Sequence, residues 1–318
     1  MQETIINTVH LALRLTIPFL LISLGGLFCL KTGVFNLALD GFALFGCFTS
    51  VAGTYYTGSV LGGVLFAGIT TSLLALIFAV FVLELKVDAI VCSLAMILIC
   101  TGITRYLLSA VLKSNGRFVL ESSLALKPID IPFLENIPIV GQALNNLTPL
   151  AYIAFLLVPV IHIILYKTKF GFQMRVVGLN EQAAEATGVN IKRVRYIGLI
   201  IGGFICGLAG AQLALSINMF NVGMSDGRGF TAFVILVMAD SRPVPALLAS
   251  LMFGGSEAAI LKLSGYGINA QILAIIPYLL AFAVAILPLA SKHMAIQIKR
   301  HFAARTYIAP IEKLPGDE

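Results

Sequence analysis

Residues 59–83, SVLGGVLFAGITTSLLALIFAVFVL, run from Ser59 to Leu83 without one charged side chain. As a helix such a run is about 37 Å long, enough to cross the ~30 Å hydrocarbon core of a bilayer. A helix that is apolar all round belongs in lipid or in the centre of a large core. The rest of the chain decides between the two. Of its 318 residues 59% are hydrophobic and 11% charged, and the mean hydropathy is +0.98. A soluble domain carries roughly 25% charge, so this chain has too little polar surface to dissolve and too much apolar surface to stay disordered. The sequence predicts an integral membrane protein.

Other apolar runs flank this one. Upstream lie a first span from about Asn7 to Leu30, containing Arg14 and Pro18, and a short second one from Asn36 to Ala52 that carries Asp40. Downstream a fourth runs from Ala89 to about Leu108, a fifth from Leu150 to Tyr166 and a sixth from Tyr196 to about Leu215. A short piece from Phe230 to Ala239, a stretch from Pro243 to Leu261 with Glu257 inside it, and a last span from Ala270 to Ser291 complete the set. The predicted fold is all-α: one polytopic transmembrane bundle of about nine to ten spans over residues 1–318. The polar interval 112–149, with Pro128, Pro132 and Pro138, reads as an external loop.

Charge sets the orientation. Lys167, Lys169, Arg175, Lys192, Arg193 and Arg195 crowd one interval, and Lys292, Lys299, Arg300 and Arg305 the tail. By the positive-inside rule both are cytoplasmic, which puts the N-terminus outside and requires the short Phe230–Ala239 piece to cross. The net charge of +6 is therefore loop charge rather than a nucleic-acid footprint; the cations are scattered, without aromatic interleaving. Cys29, Cys47, Cys92, Cys100 and Cys206 all sit in apolar segments without C-x-x-C spacing, and the four histidines are dispersed. These are expected to be reduced thiols, with no metal site. No basic n-region precedes the first apolar run, so no cleavable signal peptide is expected.

Enzymatic signatures are missing too. The chain has no H-E-x-x-H and no G-x-x-x-x-G-K-[ST]. If transport here is driven by ATP, the hydrolysis belongs to another polypeptide and this chain needs no cofactor of its own. A secondary transporter would use intramembrane acids as ion carriers; Asp40 and Glu257 are the two available, without a His/Asp relay. Gly198, Gly202, Gly203, Gly207 and Gly210 in the sixth span allow close helix approach, either within the subunit or at a seam between subunits.

The basic interval, about 167–195, is the most informative polar stretch. Asn180 suits an N-cap, Glu181 and Glu185 suit the first turns of a helix, Ala183, Ala184 and Ala186 favour it, and Gly188 can end it. Two turns alone are too short to be stable, so this cytoplasmic helix must dock, on its own subunit or on a partner.

Gly171-x-x-x-Arg175-x-x-Gly178 followed by Asn180-x-x-Ala183-Ala184-x-x-x-Gly188 resembles the coupling loop of ABC-importer permeases. Residues Gly33-Val34-Phe35-Asn36-Leu37-Ala38-Leu39-Asp40-Gly41, and further on Gly227-Arg228-Gly229-Phe230, Arg242-Pro243 and Phe253-Gly254-Gly255-Ser256-Glu257, resemble the same group. In that order they are similar to the inner-membrane translocator family serving simple sugars, nucleosides, autoinducer-2 and branched-chain amino acids. The acid at Asp40 before Gly41 most resembles the nucleoside subgroup paired with basic-membrane-protein lipoproteins. Asp40 stands where Glu is commoner, and Ala239-Asp240-Ser241 replaces a glycine-containing turn.

The resemblance implies a bacterial inner-membrane permease that pairs with a second permease, a related chain or a copy. A separate ABC ATPase using ATP-Mg would drive it, and an extracytoplasmic binding lipoprotein would feed it. It implies ATPase coupling through Arg175, Gly178, Asn180, Ala183, Ala184 and Gly188. The substrate route is expected to involve Asn36, Asp40, Asn218, Phe220, Asp226, Arg228 and Glu257. Asn36 and Asp40, four apart, share a face if helical; they either bind hydroxyls in transit or pin the start of the second span. Phe220 either stacks on a base or lines an interface. Asp226 and Arg228 either meet the delivering protein or pair with each other. Nucleosides are the expected substrate, with sugars or autoinducer-2 as the alternative.

Overall fold

The computed structural model describes residues 2–121, 124–130, 141, 144–265, 275–277 and 279. Its helices are α1 (Gln2–Lys31), α2 (Leu39–Thr57), α3 (Val60–Leu83), α4 (Ala89–Leu112), α5 (Pro149–Lys167), α6 (Lys169–Leu179), α7 (Glu181–Ala186), α8 (Ile191–Leu215), α9 (Arg228–Met238) and α10 (Pro243–Ser264). Six of them (α1, α3, α4, α5, α8 and α10) are long and apolar enough to cross a membrane. The chain is an all-α multi-pass membrane protein. The expected last span, Ala270–Ser291, and the basic tail lie almost wholly outside the described residues.

Local sequence sets the ends. The Ser59 hydroxyl accepts from the Gly62 amide at 3.4 Å to start α3, and the Asp88 carboxylate accepts from Ile90 and Val91 at 2.9 and 3.0 Å to start α4. Pro149 and Pro243 open α5 and α10, where a missing amide hydrogen costs nothing.

Helices α1, α2 and α8 form the inside of the bundle, while α3, α4, α5 and α10 surround it with exposed Leu61, Ile69, Leu98, Leu156 and Leu248. This division explains α2. Wrapped by other helices, it can carry Asp40, Thr49, Ser50 and Thr54, all buried, with the hydroxyls returning to carbonyls of the preceding turn. The glycine row of α8 packs inside the subunit: a Cβ on Gly202 would lie 2.7 Å from the Gly25 carbonyl, and one on Gly210 2.3 Å from that of Ala43.

Three departures from the sequence reading have local causes. Helix α8 begins at Ile191, not Tyr196, because Asn190 caps it by accepting from the Arg193 amide at 3.0 Å; Lys192, Arg193 and Arg195 are thus helical. Helix α6 was not expected, since Gly171 and Gly178 lower its propensity; Thr168 caps it through the Gly171 amide, and Met174 and Val177 bury its inner face. In the 112–149 loop a strand β1 (Arg117–Val119) pairs antiparallel with β2 (Met219–Asn221), Phe118 opposite Phe220. The ribbon ties the two loops expected outside to one another.

The turn between α9 and α10 places Asp240 and Ser241 at φ 51° and 49°. Both lie in the left-handed region that glycine occupies without a Cβ penalty.

Candidate functional site

Two regions collect the polar residues. The first is the platform formed by α6 and α7 on the side carrying Lys167–Arg195. Asn180 closes α6 and caps α7, its side-chain oxygen accepting from the Ala183 amide at 3.0 Å. Gly188, at φ 74°, ends the helix with its amide on the Glu185 carbonyl, and the Val189 amide reaches that of Ala184. Ala184 is fully buried in its own subunit, so the two-turn helix docks there through this side chain. Ala183, Gln182 and Ala186 face outward.

Two contacts fasten the platform to the bundle. Arg195 of α8 grips Glu181 with both terminal nitrogens, at 3.2 and 2.9 Å, while its Nε donates to the Thr32 carbonyl at 3.2 Å. The planar guanidinium thereby joins α7, α8 and the α1–α2 turn. Next to it Gly178 of α6 lies against that turn: a Cβ there would stand 2.4 Å from the Lys31 carbonyl and 3.1 Å from the Gly33 amide. Arg175 points back toward the bundle, its guanidinium over the Tyr166 ring at 5.1 Å. Lys192 pairs with Glu84 at 2.7 Å on the surface, and this hydrogen bond holds the Glu84 carboxyl below the usual carboxylate range.

What the platform presents outward is partly apolar. Leu179 is 88% exposed and Phe172 60%. Sequence reasoning passed over both. A hydrophobic residue just before an N-cap often folds back onto the helix it precedes; Leu179 occupies that place and stays exposed instead, and its position before Asn180 in a basic loop was the readable signal.

The second region lies deep in the bundle. Asp40 is 7% exposed; its Oδ1 accepts from the Gly229 amide at 2.9 Å and its Oδ2 from the Ser225 hydroxyl at 3.0 Å. It caps α9, whose own N-cap, Gly227, has no side chain to do so. Asn36 precedes α2 rather than sharing its face: its Oδ1 accepts from the Ala38 amide at 2.8 Å and its Nδ2 contacts the Cys29 sulfur. Phe220 is fully buried, edge-on to Phe48 at 5.5 Å. Asn218 has φ 57°, and its Oδ1 is buried without a partner among the described residues.

Arg228 pairs with Glu257 of α10 at 2.5 Å, not with Asp226, and its guanidinium sits over Phe19 at 5.9 Å. The Glu257 Oε2 is buried and unpartnered among the described residues. Arg228 and Asp226 stand between two cavities. One, about 600 Å³, is lined by Arg14, Pro18, Gln212 and Asn221; the other, about 270 Å³, by Phe19, Thr231, Phe253 and Glu257. The larger falls within the ~300–1,000 Å³ of small-molecule sites. Since α9 has 11 residues, Arg228 stands about 16 Å from the turn at Asp240, half the ~30 Å hydrocarbon core.

The bundle thus holds a polar cleft beside Arg228 and a clamped platform at one end. The family model described as branched-chain amino acid transport system, permease component, matches residues 9–287, and the chain belongs to that family. It is 32% identical over 250 residues to the guanosine ABC transporter permease protein NupQ of Bacillus subtilis, covering 76% of this chain and 77% of that one. It is 29% identical over 245 residues to the nucleoside ABC transporter permease protein NupC of Lactococcus lactis, at 74% and 76% coverage. Identity with the putative glucose ABC transporter permease protein TsgC13 of Haloferax volcanii is 32% over 253 residues, covering 76% of this chain and 73% of the other. No solved structure matches the chain.

Proposed function

We propose that the chain is one permease of an ATP-binding-cassette importer that carries nucleosides across the cytoplasmic membrane of its cell. A separate ATPase hydrolyses ATP-Mg, a second permease completes the pathway and an external binding lipoprotein supplies substrate. The observation that carries this reading is the platform: exposed Leu179 and Phe172 on one side, Arg195 and Gly178 clamped to the α1–α2 turn on the other. A push on α7 passes through Arg195 to Thr32 and so to the foot of the two inner helices. Rigid contacts of this kind move spans as bodies.

The cleft beside Arg228 is the proposed substrate route. Arg14, Gln212, Asn221 and Asp226 offer donors and acceptors suited to ribose hydroxyls and base edges. Asn36, Asp40 and Phe220, each engaged within the subunit, serve the route by holding α9 and the α2 start in place. Nucleosides are favoured over sugars by the acid at Asp40 before Gly41, which resembles the nucleoside subgroup; overall identity does not separate the two, since NupQ and TsgC13 each share 32% with this chain. A proton- or sodium-coupled carrier is disfavoured: Asp40 and Glu257, its two candidate ion ligands, are committed to Gly229, Ser225 and Arg228. Uptake of radiolabelled guanosine by cells carrying the whole system, with and without ATP depletion, tests the reading. Import that survives depletion and follows an ion gradient would refute it.

A further inference from the structure

At the platform end of the bundle four elements converge on a second cleft, of about 440 Å³, that the transport route does not use. Lys31 ends α1, His162 and Tyr166 come from the last turns of α5, Arg175 from α6, and Asp240 and Arg242 from the α9–α10 turn. Asp240 is the single carboxylate among them. Its side chain pairs with Arg242 at 3.0 Å, and its carbonyl accepts from the Lys31 ammonium at 3.4 Å. Arg175, above Tyr166, has its Nε buried and without a hydrogen-bond partner among the described residues. Among the described residues three cations thus face one anion, with a donor left over. A buried donor without an acceptor is costly, and the surplus positive charge calls for a negative group to complete the site.

Location identifies that group. Lys31 and Tyr166 stand at the ends of two spans and Arg242 at the start of a third, on the side carrying Lys167–Arg195; the positive-inside rule sets that level beside cytoplasmic lipid phosphates. From it Val244, Leu248 and Met252 of α10, spaced four apart on one face, run exposed toward the membrane interior. Cations at the water boundary above an apolar stripe that the described residues leave exposed match a phosphate carrying an acyl chain.

We propose that this cleft binds an anionic phospholipid, its phosphate between Arg175 and Arg242 and a chain along α10. Because Arg175 belongs to the platform and Arg242 to the α9–α10 turn, the bound lipid fastens the two together. The inference concerns a different surface from the substrate route and stands whichever substrate passes.

Native mass spectrometry of the whole transporter, extracted gently and titrated with phosphatidylglycerol or phosphatidylcholine, tests it. Retained phosphatidylglycerol should exceed phosphatidylcholine, and Arg175→Gln with Arg242→Gln should weaken retention roughly tenfold or more. Arg175→Lys with Arg242→Lys should keep most of it, which separates lost charge from lost folding. Arg193→Gln, an exposed cation away from the cleft, should change nothing. Equal retention in the Gln pair and in Arg193→Gln overturns the proposal. So does inorganic phosphate binding with the same dependence on Arg175 and Arg242 while no phospholipid is held. A cysteine at Val244 that cross-links efficiently to the second permease also overturns it, since a protein then covers the stripe.

Discussion

The carboxylate of Asp40 caps the helix that begins at Arg228, reaching the Gly229 amide at 2.9 Å across 189 residues of sequence. The same contact brings the backbones together so closely that a Cβ on Gly229 would lie 2.2 Å from the Asp40 nitrogen. One acid on an inner helix thereby fixes the height and direction of α9, and with it the guanidinium of Arg228.

Asp40→Ala leaves the Gly229 amide and the Ser225 hydroxyl without their acceptor, and buried unsatisfied donors cost about 1–3 kcal/mol each. The unfolding midpoint in detergent should fall by several degrees, and by less in Asp40→Asn, which retains one carbonyl oxygen. Gly229→Ala should be the worst of the three, because its methyl group meets backbone. A midpoint in Asp40→Ala equal to wild type would contradict the capping role.

The Arg228–Glu257 pair is partly covered, with side chains 19% and 25% exposed. Removing one partner strands the other charge at mid-depth, whereas removing both does not. Arg228→Met and Glu257→Met should each lower stability, by about 1–3 kcal/mol, and the double variant should recover part of that loss. Strict additivity of the two midpoint shifts would show that the residues do not interact.

Arg195→Ala breaks the link from α7 to Thr32. Since its partner Glu181 is 57% exposed, the effect on stability should be within about 1 kcal/mol. Transport should suffer far more: uptake should drop severalfold while the ATPase still co-purifies. The charge swap Arg195→Glu with Glu181→Arg should restore little, because Thr32 then loses its donor. Normal uptake in Arg195→Ala would remove the clamp from the transmission path.

Leu179→Asp and Phe172→Asp alter exposed side chains, so folding should change by no more than about 0.5 kcal/mol. Association with the ATPase is the expected loss, read as a lower yield of ATPase on the purified permease. Undiminished association in the double variant would move the docking face elsewhere.

The sequence discloses some of these features more readily than others. Membrane spans were legible because lipid demands long apolar runs: α3 and α4 begin within a residue of their expected starts. The Asn180–Gly188 helix was legible from its cap and its terminal glycine. Partners in three dimensions were not. Nothing near Asp40 announces Ser225 and Gly229, and Asp226 is nearer to Arg228 in sequence than Glu257, which wins the guanidinium through α10. Helix α6 was obscured by two glycines whose purpose is close approach, Gly171 to the end of α5 and Gly178 to Lys31. Asn36 looked like a helix-face residue because its spacing to Asp40 is four, but its side chain folds onto the Ala38 amide and holds the chain out of helix.

The most direct measurement is guanosine accumulation in proteoliposomes that contain this permease, its partner permease, the ATPase and the external binding protein, with ATP-Mg supplied on the ATPase side. Accumulation should require ATP hydrolysis and the binding protein together, and should vanish in Leu179→Asp with Phe172→Asp while the vesicles stay sealed. Guanosine entering at the same rate without ATP, or without the ATPase subunit, would contradict the account.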